Sequence, residues 1–139
     1  MNKLQKLADR RIHFVGIGGS GMSGIARIMI SQGLMVSGSD VKSSAITNSL
    51  EALGAKIFIG HHASNIDGVD LLITSGAISR DNPELLTAQS SGIEILSRAE
   101  ALALLMEGKR SIAVAGTHGK TTTTAMLTVA LQSAGLDPS

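Results

Sequence analysis

A glycine-rich segment near the start of the chain has the spacing of a phosphate-binding loop. Residues 16–21 follow the pattern G-x-G-x-x-G; the apolar run 12–15 precedes them, and 22–29 carries apolar residues at helical spacing. Such a segment forms a strand, then a tight glycine turn, then the first turn of a helix. This order directs backbone N–H groups and the positive end of the helix dipole at a phosphate. The segment therefore predicts diphosphate binding, with a tight turn that binds no ligand as the alternative. The residues expected to hold the diphosphate are Gly18, Gly19, Ser20 and Gly21.

Polar residues follow two later apolar runs. Ser39 and Asp40 end the second run, and Ser75 and Ala77 lie in the loop after the fourth. An acid at the end of the second strand could hold a ribose hydroxyl, or it could cap the helix that follows. Ser39 has the same two interpretations. The loop 75–78 lies where parallel sheets bind ligands and could line a base or sugar pocket, although an ordinary loop fits equally well.

A second phosphate loop is predicted near the end of the chain. Its G-K-T core would let backbone N–H groups cradle phosphates, while Lys120 reaches the β and γ phosphates and Thr121 ligates Mg²⁺. The ordinary Walker pattern requires glycine at position 114, where Val114 stands. A strand precedes this loop and a helix follows it, as phosphate binding requires. The residues of the predicted ATP site are Gly116, Thr117, His118, Gly119, Lys120, Thr121 and Thr122.

The histidines do not have the spacing of a metal site. His61 and His62 are adjacent on an extended segment and would point to opposite sides, so we interpret them as polar loop residues. His13 is interpreted as a histidine satisfied within the first strand. His118 is expected to shape the second loop or face a phosphate.

Short apolar runs alternate with helical patterns along the whole chain. Glycines stand where helices should end, Asn82-Pro83 predicts a helix start, and Ser97 with Glu100 predicts a capping box. Continuous apolar strands joined by helices predict an α/β, Rossmann-like, doubly wound and mostly parallel sheet with helices on both faces. A polar hinge then leads into the first strand and helix of a P-loop domain. The expected domains are 1–108 and 109–139.

Composition excludes several classes of function. With 12 Lys and Arg against 11 Asp and Glu, the net charge is +1, and two Phe are the only aromatic residues among Phe, Trp and Tyr. The absence of a basic stripe and of stacking side chains argues against nucleic-acid binding. No run approaches the roughly 18 apolar residues of a membrane span, and the first 11 residues lack the apolar stretch of a signal peptide. Zero cysteine excludes disulfides and thiolate metal sites. We expect a cytoplasmic domain.

Residues 13–24, 38–40 and 115–124 together resemble the Mur ligase family of peptidoglycan synthesis. The resemblance covers nearly the whole chain and accounts for Val114, because Mur ligases characteristically carry G-T-x-G-K-T. The histidine variant of this loop is similar to that of the ligases that add L-alanine to UDP-N-acetylmuramate, and of the related ligases that recycle murein tripeptide. The latter typically have cysteine in the first loop where Gly19 stands, which favours the alanine-adding group.

The resemblance implies a mechanism and a distribution of roles. ATP would phosphorylate the lactyl carboxylate of UDP-N-acetylmuramate, and the amine of L-alanine would attack the acyl phosphate, with Mg²⁺ and Lys120 offsetting phosphoryl charge. By resemblance, 18–21 would hold the UDP diphosphate, with Ser39, Asp40 and 75–78 near the uridine. Thr121 would bind Mg²⁺.

Family members have three domains, so the resemblance implies an N-terminal portion that requires no cofactor of its own and is inactive alone. Its C-terminal segment could pair weakly with a second copy through an exposed edge. Two alternatives remain open. An NAD-binding Rossmann domain leaves the second loop unexplained, and a non-catalytic nucleotide-sensing module needs no further domains.

Overall fold

The computed structural model describes residues 3–107 of the chain. They belong to the first of two units, Met1–Gly108 and Lys109–Ser139. The predicted strand and helix of the P-loop domain therefore lie outside the described residues. Among the residues described, no helix is long and apolar enough to span a membrane.

Five parallel strands form one sheet with the order β3-β2-β1-β4-β5. All four pairings between neighbouring strands are parallel, which confirms the predicted α/β, Rossmann-like fold. The central position of β1 explains its apolar sequence, because parallel sheets are covered on both faces. The strands are β1 Arg11–Val15, β2 Met35–Asp40, β3 Lys56–Ile59, β4 Leu71–Thr74 and β5 Glu94–Ser97.

Four α-helices connect or follow the strands. Their starts carry the expected signals: Ser44 and Ser97 form capping boxes, and Asn82 caps a helix that opens with Pro83. The helices are α1 Ser20–Ser31, α2 Ala45–Ala52, α3 Pro83–Ser90 and α4 Arg98–Met106, and short 3₁₀ turns occupy Gln5–Leu7 and Ala63–Ile66.

The side chains of β1 alternate between two apolar clusters, one on each face of the sheet. Ile12 and Phe14 belong to the cluster that buries residues of α1, α2 and α4. Val15 belongs to the cluster that buries residues of α3 and of the 3₁₀ turn Ala63–Ile66. His13 lies on this second face of the strand and is the one polar residue among the four buried residues of β1.

Candidate functional site

The glycine-rich loop lies at the carboxyl edge of the sheet, where the strand order reverses. Strand β1 pairs with β2 on one side and β4 on the other, so the loops after β1 and β4 flank the same crevice. A Cβ added to Gly16 would lie 3.0 Å from Cδ1 of Ile78, so the two loops touch. Ligands of open parallel sheets bind at such a reversal point. The fold thus brings the predicted diphosphate loop against the predicted loop 75–78, in which Ser75 is half-buried and Ala77 exposed.

Strand β2 holds the glycine loop through backbone contacts. The carbonyl of Ser39 accepts the N–H groups of Gly16 at 2.8 Å and Ile17 at 2.9 Å. Gly16 has a φ of +77°, a conformation that side chains other than glycine rarely adopt. Ile17 is fully buried, and a Cβ on Gly38 would lie only 2.5 Å from its Cδ1. The missing side chain at Gly38 therefore makes room for the apolar anchor of the loop.

Asp40 binds the loop through its side chain. Its Oδ2 accepts the N–H of Gly18 at 2.8 Å, and its Oδ1 accepts the N–H of Val41 at 2.8 Å. The alternative that Asp40 caps the next helix is wrong, because Ser44 caps α2. The physical reason is that β2 stays paired through Asp40, whose register partner on β3 is Ile59, so the helix can begin only farther along the chain.

The first turn of α1 has N–H groups for which residues 3–107 supply no acceptor. Gly19 is its N-cap and provides no side-chain acceptor, whereas side chains cap the other three α-helices. Ser23 donates to the carbonyl of Gly19. Within residues 3–107, the N–H groups of Ser20, Gly21 and Met22 have no acceptor. The sequence predicted this exposed positive helix end, and the fold opens it at the crevice.

Arg98 lies over this turn, and no motif in the sequence indicated a role for it. It is the first residue of α4, and a methyl group at position 21 would collide with its Nη1. The side chain of Arg98 is exposed, and it makes no hydrogen bond or ion pair with another described residue. A guanidinium and a helix N-terminus both carry positive charge, so an anion between them would stabilise both.

The side chain of Ser39 is not exposed at the crevice, as a ligand-binding side chain would be. It is fully buried, and its hydroxyl donates to Oε2 of Glu84 at 2.6 Å. Glu84, near the start of α3, is fully buried as well and receives three further hydrogen bonds. Their donors are His13, His61 and Asn65, at 3.0, 2.7 and 3.0 Å.

Glu84 is ionised at neutral pH. Burial would raise the pKa of its carboxyl group, but the hydrogen bonds from His13, Ser39, His61 and Asn65 outweigh burial and lower the pKa from 4.5 to about 2. A carboxylate can only accept, so Nε2 of His13 and Nδ1 of His61 each carry a proton toward it. The negative charge is therefore satisfied completely inside the protein.

The three histidines among residues 3–107 do not assemble a metal site. His13 is a satisfied core histidine, as the sequence indicated, with Nδ1 at 2.8 Å from Oγ of Ser37. His61 is more than a polar loop residue, because it belongs to the buried network of Glu84. In the described part of the chain, no group of three or more histidines and carboxylates could hold a metal ion. The predicted ATP and Mg²⁺ residues, 116–122, lie outside that part.

Comparison with known proteins agrees with this architecture. A family model for the Mur ligase family, catalytic domain, matches residues 11–110. The chain is 56% identical over 133 residues to a UDP-N-acetylmuramate–L-alanine ligase of Nocardioides sp., covering 94% of this chain and 30% of the relative. It thus spans about a third of the length of such relatives.

Two solved structures are similar in fold and sequence. The UDP-N-acetylmuramate–alanine ligase of Thermotoga maritima superposes with a TM-score of 0.81 at 42% identity, covering 88% of this chain and 29% of that one. The UDP-N-acetylmuramate:L-alanyl-γ-D-glutamyl-meso-diaminopimelate ligase of Neisseria meningitidis superposes with a TM-score of 0.85 at 34% identity, covering 91% and 40%. Since the family model matches well over half of the sequence, the chain belongs to the Mur ligase family.

Proposed function

We propose that this chain is the UDP-N-acetylmuramate-binding part of an ATP-dependent ligase that joins L-alanine to that nucleotide sugar. The relative of that name is 56% identical, and the structure named for the same activity is 42% identical. The diaminopimelate-peptide ligase is 34% identical, so the alanine-adding activity is the better-supported of the two.

The observation that carries the proposal is the uncapped start of α1. Its first turn presents the N–H groups of Ser20, Gly21 and Met22 to the crevice with no acceptor among residues 3–107. A diphosphate supplies several anionic oxygens at once and would satisfy these groups. The N–H groups of Gly18 and Gly19 bind Asp40 and Gly16 instead, so these two residues would shape the loop around the ligand.

Arg98 supports an anion at the same place. Its guanidinium lies against Gly21 beside the positive end of α1, an arrangement that repels unless negative charge lies between them. The guanidinium presents several N–H donors to phosphate oxygens. We therefore add Arg98 to the residues that would contact the diphosphate.

The uridine would lie toward the carboxyl ends of β2 and β4. Each carboxylate oxygen of Asp40 accepts one backbone N–H, which leaves capacity for a ribose hydroxyl. Ser75 and Ala77 belong to the loop that touches Gly16 through Ile78 and are accessible at the rim. The side chain of Ser39 would support the site indirectly, because it is buried and hydrogen-bonded to Glu84.

The ATP site is proposed from sequence, because residues 116–122 are not among those described. Its G-T-x-G-K-T pattern assigns Lys120 to the phosphates and Thr121 to Mg²⁺. In the whole enzyme the lactyl carboxylate would become an acyl phosphate, because a carboxylate is a poor electrophile until its oxygen is a good leaving group. The amine of L-alanine would then displace phosphate. We expect this chain alone to bind the nucleotide sugar without turning it over.

Isothermal titration calorimetry of the 139-residue chain tests the proposal. We expect saturable binding of UDP-N-acetylmuramate and of UDP, and little heat with NAD. Preference for NAD would instead indicate a dinucleotide-binding domain. A chain that binds neither UDP ligand would contradict the proposed site. Release of phosphate from ATP in the presence of UDP-N-acetylmuramate and L-alanine would show that the expectation of inactivity is wrong.

A further inference from the structure

The carboxylate of Glu84 joins four separate segments of the domain at one buried point. It extends from the start of α3 and binds side chains from β1, β2, the segment after β3 and the 3₁₀ turn Ala63–Ile66. Oε1 accepts from His13 and Asn65, and Oε2 accepts from Ser39 and His61.

This carboxylate is placed for support and not for ligand contact. Glu84 has no exposed surface, and each of its two oxygens already accepts two hydrogen bonds, which occupies its lone pairs. A buried charge is costly unless it is fully hydrogen-bonded, and here it is. Its effect on a ligand must therefore act through the residues that it binds.

One of those residues connects Glu84 to the glycine loop. The hydroxyl of Ser39 donates to Glu84 at 2.6 Å, while the carbonyl of the same residue accepts the N–H groups of Gly16 and Ile17. Ser39, on β2, thus binds Glu84 through its side chain and the glycine loop through its backbone carbonyl. If Ser39 shifts, the acceptor for two N–H groups of the loop shifts with it.

We propose that Glu84 is a positioning residue of the nucleotide site, which holds the glycine loop in its diphosphate-binding form by fixing Ser39. The inference rests on the proposed function, since it concerns the same diphosphate. This arrangement predicts that loss of the Glu84 charge loosens the glycine loop more than the rest of the domain. It also predicts that diphosphate binding weakens more than nucleoside binding. Glutamine preserves the shape but replaces one acceptor oxygen with an NH₂ donor, which faces the donors already present.

The experiment compares Glu84→Gln with Glu51→Gln, which makes the same change at an exposed position of α2. Amide hydrogen exchange by NMR is measured for Gly16 and Ile17, relative to Ala26 in the buried face of α1. In Glu84→Gln we expect exchange of the two loop amides to rise at least about ten-fold relative to Ala26. In Glu51→Gln we expect no change.

Binding of UDP and of uridine by the same variants is then measured by NMR titration. We expect Glu84→Gln to weaken UDP about ten-fold and uridine less than about two-fold, because the loop serves the diphosphate. Equal weakening of both ligands, or loop amides that exchange as in the parent chain, would overturn the positioning role. Failure of the parent chain to bind UDP would contradict the proposed function, and the exchange data would still decide whether Glu84 holds the loop.

A second variant covers the case in which Glu84→Gln does not fold. Ser39→Ala removes only the hydroxyl and keeps the backbone carbonyl that binds Gly16 and Ile17. We expect exchange of these two amides to rise about three-fold relative to Ala26. Unchanged exchange in a folded Ser39→Ala variant would refute the connection on its own.

Discussion

Replacing Glu84 by glutamine should remove a measurable and pH-dependent part of the free energy of unfolding. The pKa of Glu84 is about 2 in the folded chain, against an ordinary value of 4.5. Each pKa unit corresponds to about 1.4 kcal/mol, so the ionised, hydrogen-bonded carboxylate contributes on the order of 3 kcal/mol at pH 7. Because the folded-state pKa is the lower one, this contribution is complete above pH 4.5. It declines as the pH falls through the window between 4.5 and 2.

Urea unfolding followed by far-ultraviolet circular dichroism measures the effect, since the chain has no Trp or Tyr to report by fluorescence. We expect Glu84→Gln to be about 3 kcal/mol less stable than the parent at pH 7, and about half as much less stable at pH 3. Glu51→Gln should follow the parent within about 0.5 kcal/mol, since Glu51 is exposed. A Glu84→Gln loss below about 1 kcal/mol, or one that is the same at both pH values, would refute the reasoning.

Two further predictions concern the packing of the glycine loop and the anion that we propose it binds. Gly38→Ala should cost about 1–3 kcal/mol of stability in the same assay, because its Cβ would lie 2.5 Å from the buried Ile17. Gly24→Ala, at an exposed helical position with nothing within 4 Å, should be neutral or stabilising; equal losses would show that Ile17 is not tightly held. Arg98→Ala should weaken UDP binding at least about ten-fold in calorimetry and flatten its salt dependence, because a charged hydrogen bond contributes about 1.5–3 kcal/mol. Arg27→Ala, exposed on the same α1 helix, should leave UDP binding unchanged, and a similar loss in both variants would point to net charge alone.

Local features of this fold could be predicted from sequence because their causes lie within a few residues. Asn82 followed by Pro83 caps α3, and Ser97 with Glu100 forms the capping box of α4, as their spacing indicates. The glycine loop between a strand and a helix is equally local. The apolar strands alternating with helical patterns were enough to predict a parallel α/β sheet.

Contacts between distant segments depended on the tertiary structure. Glu84 meets His13 across 71 positions of sequence and Ser39 across 45, and no periodicity in the chain relates them. Their meeting follows from the strand order, which places β1 and β2 side by side and α3 over one face of the sheet. Arg98 likewise contacts α1 because of the tertiary structure, since α4 packs on the same face of the sheet as α1.

The sequence alone therefore predicted a glycine-rich loop of the diphosphate-binding type at the start of a helix, with an acid at the end of the next strand. The tertiary structure shows how that loop is held and that Arg98 lies against it. The physical reason is the separation in sequence between the residues that interact. Turns and caps depend on the conformational preferences of neighbouring residues. The partners of a buried carboxylate depend instead on the strand pairing that brings distant residues within hydrogen-bonding distance.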